Sequence, residues 1–282
     1  MERIAWIDGA FVPLADARVS VMDRGFLFAD GIYEVTAVLD GKLIDSARHL
    51  SRLQRSADAL GLTFPYTSEQ IEAVERELIV RNQIDQGSVY LQLTAGAAER
   101  DFLRKADTPP TLVMFTQAYD YLNSPAAEKG VAVVTMSDLR WARRDIKSVM
   151  LLAQVLAKRA AAEAGAQEAW MVEDGFVTEG ASSTALIVTQ AGTLVTRPYS
   201  QTVLPGCTRA AIWALAEQDG VTIEERAFTV DEALAAREAM LTSATTFVMP
   251  IVSIDGRPVA DGKPGPIARR LRQLYIEAAR AS

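Results

Sequence analysis

The chain has 282 residues, 49% of them hydrophobic and 23% charged, an ordinary globular composition with length enough for two modest domains. Its formal net charge is −7 and its basic residues are dispersed, which argues against a nucleic-acid or anionic-membrane partner. One histidine, His49, and one cysteine, Cys207, exclude an intrachain disulfide framework and leave no HExxH or cysteine-rich zinc site, so no metal is expected.

Residues 3–14 read as a β-hairpin with Asp8-Gly9 as its turn, and 32–44 as another around Asp40-Gly41. Ala47, Leu50, Leu53, Ala57 and Leu60 recur every three or four residues, predicting a helix that Ser46 caps at its start and Gly61 at its end. A second helix is predicted over 68–83, and strands at 89–94 and 111–118 complete an antiparallel α+β domain over residues 1–118. The polar, proline-containing stretch 119–129 reads as a linker. In the domain that follows, 130–282, strands are predicted near 131–136, 168–173, 183–189, 193–197, 222–226, 238–242 and 247–254. Helices are predicted near 149–164, 208–219 and 265–280, and so many short strands with few helices suggest a barrel-like domain. No apolar run is long enough to span a bilayer and no apolar leader is visible, so a cytoplasmic protein is expected.

With histidine and cysteine so scarce, chemistry falls to lysine, carboxylates, tyrosines and a cofactor. A Ser-His-Asp triad would have to use His49, which lies in an amphipathic helical stretch without a nucleophile elbow and reads as a surface or packing residue. Lys147, in Arg-Arg-Asp-Ile-Lys-Ser, precedes an apolar helical run; Glu179, in Val-Thr-Glu-Gly-Ala-Ser-Ser, ends a strand. Each has a plain alternative, a solvated lysine and a turn glutamate. Together they are what pyridoxal 5′-phosphate (PLP) chemistry needs: an amine for a Schiff base and a carboxylate that keeps the ring nitrogen protonated.

The surrounding motifs resemble those of fold-type IV PLP enzymes, most closely the D-amino acid aminotransferases, over nearly the full length. They are Asp23-Arg24-Gly25 with Asp30-Gly31-Ile32-Tyr33-Glu34, His49-Leu50-Ser51-Arg52-Leu53 and Asp145-Ile146-Lys147-Ser148. Thr178-Glu179-Gly180, Leu204-Pro205-Gly206-Cys207-Thr208-Arg209 and Thr242-Ser243-Ala244-Thr245 follow in the same order. The resemblance implies an α+β fold with a small α/β N-terminal domain and a larger pseudo-barrel C-terminal domain. It makes Lys147 the Schiff-base lysine and proton shuttle, Glu179 the partner of the pyridine nitrogen and Leu204 a residue packed on the ring. Arg52, Cys207, Thr208, Ser243 and Ala244 become a phosphate cup, with Gly206 allowing a tight turn before a helix whose dipole favours an anion. Ala244 stands where a hydroxyl residue is usual, so one side-chain contact is missing.

On the substrate side, Tyr33 and Tyr90 read either as strand tyrosines with surface hydroxyls or as residues facing the substrate. Arg100 aligns with an arginine that grips a substrate carboxylate, but Arg100-Asp101-Phe102 replaces the family's Arg-x-His. Arg104, Arg140, Arg143 and Arg144 are further carboxylate partners, the last two equally able to neutralise Asp145. The implied reaction transfers an amine from a D-amino acid of the D-alanine or D-glutamate type to pyruvate or 2-oxoglutarate. The alternatives are an (R)-selective amine or branched-chain aminotransferase, or a lyase of the aminodeoxychorismate type. The resemblance also implies a homodimer with its site between the domains.

Overall fold

A computed structural model describes residues 2–281 as two compact units, one formed by the described residues up to 120 with 146–150 and the other by 121–145 with the described residues from 151 on. The segment carrying Lys147 thus clusters with the first unit, although its number falls within the second half of the chain.

The first unit comprises strands β1 (Ile4–Ile7) and β2 (Ala10–Pro13), helix α1 (Arg24–Phe28), strands β3 (Gly31–Leu39) and β4 (Lys42–Leu43), helices α2 (Ser46–Leu60) and α3 (Ser68–Asn82), and strands β5 (Gly87–Thr94) and β6 (Thr111–Ala118). Its strands form a six-stranded sheet in the order β2-β1-β6-β5-β3-β4, antiparallel throughout. Both hairpins turn at the expected Asp-Gly pairs, with Asp8, Gly9, Asp40 and Gly41 all at positive φ, as two-residue turns of matching twist require. Helix α2 packs on β3, and α3 on β1, β5 and β6. Gly61 ends α2 in the left-handed region at φ 60°, as its spacing predicts. Ser46 does not cap α2: the capping position falls to Asp45, and the Ser46 hydroxyl instead donates to Glu72 of α3 at 2.8 Å. The start of α3 carries a capping box between Thr67 and Gln70.

The second unit runs α4 (Pro125–Lys129), which lies inside the stretch expected as linker, β7 (Val131–Ser137), α5 (Leu152–Glu163), β8 (Glu168–Glu173), β9 (Phe176–Gly180), β10 (Thr184–Val188) and β11 (Leu194–Thr196). It continues with α6 (Cys207–Gln218), β12 (Ile223–Glu225), α7 (Val230–Leu234), β13 (Glu238–Ser243), β14 (Phe247–Ile254), β15 (Arg257–Pro258) and α8 (Pro266–Ala281). The nine-stranded sheet follows the path β12-β11-β10-β13-β14-β7-β8-β9, with β15 beside β14. Strand β9 turns directly into β10 through a Gly180 N–H to Ser183 carbonyl bond of 2.7 Å, and the two strands pack together. The sheet therefore curls back on itself as a half-barrel. Trp170, Phe228, Ile187, Val195 and Ile251 fill its core. No helix among the described residues is long and apolar enough to cross a membrane.

Candidate active site

In the first unit the site is built on β3 and α2. Strand alternation puts Ile32, Glu34 and Thr36 on one face of β3 and Tyr33 and Val35 on the other. Residues 146–149 add a short rung to β3: Ile32 bridges Ser148, the Tyr33 N–H donates to the Lys147 carbonyl at 3.0 Å, and the Val149 N–H donates to Gly31 at 3.0 Å. The Lys147 N–H also donates to Ser56 Oγ on α2 at 3.4 Å. With its backbone pinned from two sides, Lys147 places Nζ 4.2 Å from the centroid of the Tyr33 ring. Tyr33 and Tyr90 stack with centroids 5.7 Å apart, because Tyr90 pairs with Val35 across the ladder and so shares the Tyr33 face. Tyr90 is not a surface strand tyrosine: its hydroxyl donates to Gln92 at 2.8 Å, its ring lies against Phe115, and burial pushes its pKa up to about 12.

Arg52 is buried rather than solvated. Its Nε and Nη2 each donate at 2.7 Å to the two oxygens of Glu34, a fork-to-fork pair, and His49 Nδ1 lies 2.7 Å from Glu34 Oε2. Burial alone would raise the Glu34 pKa, but Arg52 and then His49 overcome it and hold the carboxyl well below the usual range. His49 is thus a buried, hydrogen-bonded helix residue and not a surface one. His49, Arg52 and Ser56 are spaced by three and four residues, so they form one polar stripe along α2 beside its apolar one. That spacing is a readable sequence signal for a helix facing a site, which a search for apolar periodicity passes over.

Arg100 is exposed, with its guanidinium 5.1 Å from the Phe28 ring centroid and 5.8 Å from that of Phe102, and it makes no ion pair among the described residues. Its loop is anchored by Arg24, which is buried and donates to the carbonyls of Asp101 and Phe102 at 2.6 and 3.1 Å and to Asp30 at 2.8 Å. Asp23 caps α1 through the Gly25 N–H at 2.8 Å, so the Asp-Arg-Gly motif holds this loop in place. Asp101 turns its carboxylate onto the Leu103 N–H at 3.0 Å, away from any role beside Arg100. Arg104 caps the C-terminal carbonyls of α2 and does not join the site.

In the second unit, Glu179 lies in β9 with 4% of its surface exposed. Arg140 Nη1 donates to it, and the Leu204 N–H lies 3.2 Å from both of its oxygens. Burial is the largest influence and pushes the Glu179 carboxyl above its ordinary value, with Arg140 and Leu204 opposing. Asp138 grips the other side of Arg140 at 2.6 Å and accepts from the Thr178 hydroxyl at 2.6 Å. Arg140 is therefore spent on carboxylates of the chain itself, which corrects its place among the substrate partners. Arg143 does neutralise Asp145, at 2.9 and 3.0 Å, whereas Arg144 goes to Glu173 at 2.9 and 2.7 Å. Leu204 contributes its backbone N–H to Glu179, a contact that no side-chain pattern could reveal.

The phosphate end fits an anion. Helix α6 begins at Cys207 with Gly206 as its N-cap, so no side chain satisfies its first N–H groups. The Thr208 hydroxyl is buried with no hydrogen-bond partner among the described residues. Gly206 has φ −67°, so glycine is not needed for its conformation; a Cβ there would sit 2.8 Å from Thr184 Oγ1 and crowd the bare backbone. Ser243, at the end of β13, is bonded within its own turn to Thr246 at 2.8 Å, and Ala244 follows in that turn. An orphaned hydroxyl beside an uncapped helix start is the donor set a dianionic phosphate matches.

Residues 31–254 match the family described as amino-transferase class IV. D-alanine aminotransferase of Staphylococcus aureus (strain COL) is 40% identical over 282 residues, covering 99% of each chain. That of Bacillus licheniformis is 36% identical over 267 residues, covering 94% of this chain and 93% of its own. Among solved structures, a branched-chain amino acid aminotransferase from T.th. with pyridoxamine 5′-phosphate superposes with a TM-score of 0.92 at 26% identity, covering 100% of this chain and 95% of that one. The branched-chain enzyme from Escherichia coli gives 0.90 at 22% identity, covering 99% and 95%, a likeness of fold alone. The chain is a PLP-dependent enzyme and belongs to the class IV aminotransferases.

Proposed function

We propose that the chain transfers the amino group of a D-amino acid of the D-alanine or D-glutamate type to pyruvate or 2-oxoglutarate. The relatives at 40% identity over 99% of the chain, named D-alanine aminotransferases, support the substrate class. The observation that carries the chemistry is Lys147, pinned as a rung on β3 with its amine over the Tyr33 ring. When bound, PLP supplies an aldehyde for exchange with amines and a ring that draws electrons from the substrate Cα. Lys147 would anchor the cofactor, and its amine would move a proton between substrate Cα and cofactor C4′. Glu179, itself braced by Arg140 and Leu204, holds the proton on the ring nitrogen. Arg52, Cys207, Thr208, Ser243 and Ala244 hold the phosphate. Tyr33, Tyr90 and Arg100 orient the substrate, Arg100 gripping its carboxylate without a histidine neighbour.

A homodimer belongs to the same proposal. Val21, Phe26, Phe102 and Leu103 of the first unit are 73–81% exposed, apolar side chains that a second copy would cover, and Arg100 lies in the segment of the last two. A cytoplasmic location belongs to it too, supported by a lone, buried Cys207. Borohydride reduction of the purified protein followed by peptide mapping tests the anchor. The cofactor is expected on Lys147; finding it on Lys42, Lys129 or Lys158 would remove the assignment.

A further inference from the structure

One buried acid, coupled to the His49–Glu34 side of the Arg52 cluster, is left unused by the transamination chemistry. Glu75, on α3, is 1% exposed, its Oε2 has no hydrogen-bond partner among the described residues, and it forms no ion pair among them. The charges acting on it are His49 of α2, Glu34 of β3, and Glu72 and Arg76 of its own helix. The strands α3 also packs against bring no charged side chain, only Tyr90. Within the cluster the charges of Glu34 and Arg52 cancel at 2.7 Å. The state of Glu75 then decides whether a further negative charge acts on that cluster.

We propose that Glu75 is a positioning residue for the cofactor phosphate: held neutral, it leaves the Glu34–Arg52 pair free to receive a dianion, and its ionisation weakens phosphate binding. This rests on the reading of Arg52 as a phosphate ligand. The physical reason is that a buried carboxyl with an oxygen that accepts no hydrogen bond is poorly stabilised as an anion. Burial, the largest influence, places its pKa near 8, with Glu72 and Glu34 adding to the rise and His49 and Arg76 opposing it. When it does ionise, a second carboxylate shares the cluster with Glu34. The potential felt by an incoming dianion then becomes more negative. By proton linkage, a ligand that prefers the protonated form loses up to about tenfold in affinity per pH unit above that pKa.

The test uses the full chain freed of cofactor and pyridoxine 5′-phosphate, which has no aldehyde and reports the phosphate site without covalent capture. Its Kd is measured by tryptophan fluorescence from pH 7 to 9.5 for wild type and Glu75→Gln. Both proteins share the ligand's own titrations, so the difference isolates Glu75. Wild-type affinity should fall by roughly tenfold more than that of Glu75→Gln over this range. Because His49 is the only histidine, ¹⁵N-histidine labelling gives a single imidazole, whose signals should move with an inflection near pH 8 in wild type and not in Glu75→Gln. Should Glu75→Gln not fold, Glu75→Met serves both measurements. Identical pH profiles with tight binding retained, or a His49 signal without the inflection, would remove the role of Glu75 and leave the phosphate site standing. Arg52→Ala binding as tightly as wild type would remove the phosphate reading of Arg52, and the proposal with it.

Discussion

Glu179 shows how one side chain depends on neighbours far along the chain. Its carboxylate is useful to a ring nitrogen only if it stays fixed and charged while buried; Arg140 and the Leu204 N–H fix it and oppose the upward push of burial on its pKa. Glu179→Gln keeps the shape and the Leu204 contact but loses the charge. The half-reaction with amino donor should slow by on the order of 10²-fold or more, as for other lost electrostatic partners of a transition state, with thermal stability little changed. Stopped-flow absorbance checks this, and a rate within twofold of wild type would make Glu179 a strand-end residue only. Lys147 and Glu179 stand out in the sequence as candidates because their flanking motifs are local. The role of Arg140 does not: its partner Glu179 lies 39 residues away, and nothing in Leu-Arg-Trp distinguishes an arginine that grips substrate from one that braces a carboxylate. The backbone role of Leu204 was hidden for the same reason, since an N–H carries no residue identity.

At the level of elements, α2 and both Asp-Gly hairpins were readable from periodicity and turn chemistry, and their observed bounds agree with the sequence to within a residue or two. The short helices α1 and α7 were less so, because five-residue elements show too little of any period. Helix α3 was recognised, but not the acid it buries. Glu75 falls on the inward face with Ile71, Leu78 and Ile79, where a carboxyl costs stability when charged. Its folded pKa near 8 exceeds the ordinary 4.5, so between these values the folded chain keeps a proton the unfolded chain has lost. Stability from this group is therefore complete below pH 4.5 and declines as pH rises towards 8. Glu75→Gln should match wild type near pH 5 and exceed it in Tm by at least a few degrees at pH 8. Scanning calorimetry at the two pH values checks the sign, and equal differences at both would show that Glu75 is not buried as an acid.

At the scale of the whole molecule, the two sets of candidate site residues lie on separate compact units, and the chain returns from the second to the first at 146–150, the segment that carries Lys147. Sequence order hid that return, since the segment is flanked on both sides by elements of the second unit. The exposed apolar residues of the first unit predict a dimer. Phe102→Asp with Leu103→Asp should shift the molar mass in light scattering from dimer towards monomer, and a wild-type monomer would remove the assembly from the account. The central claim is amine transfer from D-amino acids, and the half-reaction of the cofactor-loaded enzyme tests it most directly. Mixed separately with D-alanine, L-alanine and L-leucine and followed by absorbance in a single turnover, the enzyme should convert with D-alanine at least on the order of 100-fold faster than with either L-amino acid, a difference of ~2.7 kcal/mol in barrier. Faster conversion by L-leucine than by D-alanine would contradict the account and make the chain a branched-chain aminotransferase in activity as well as in fold.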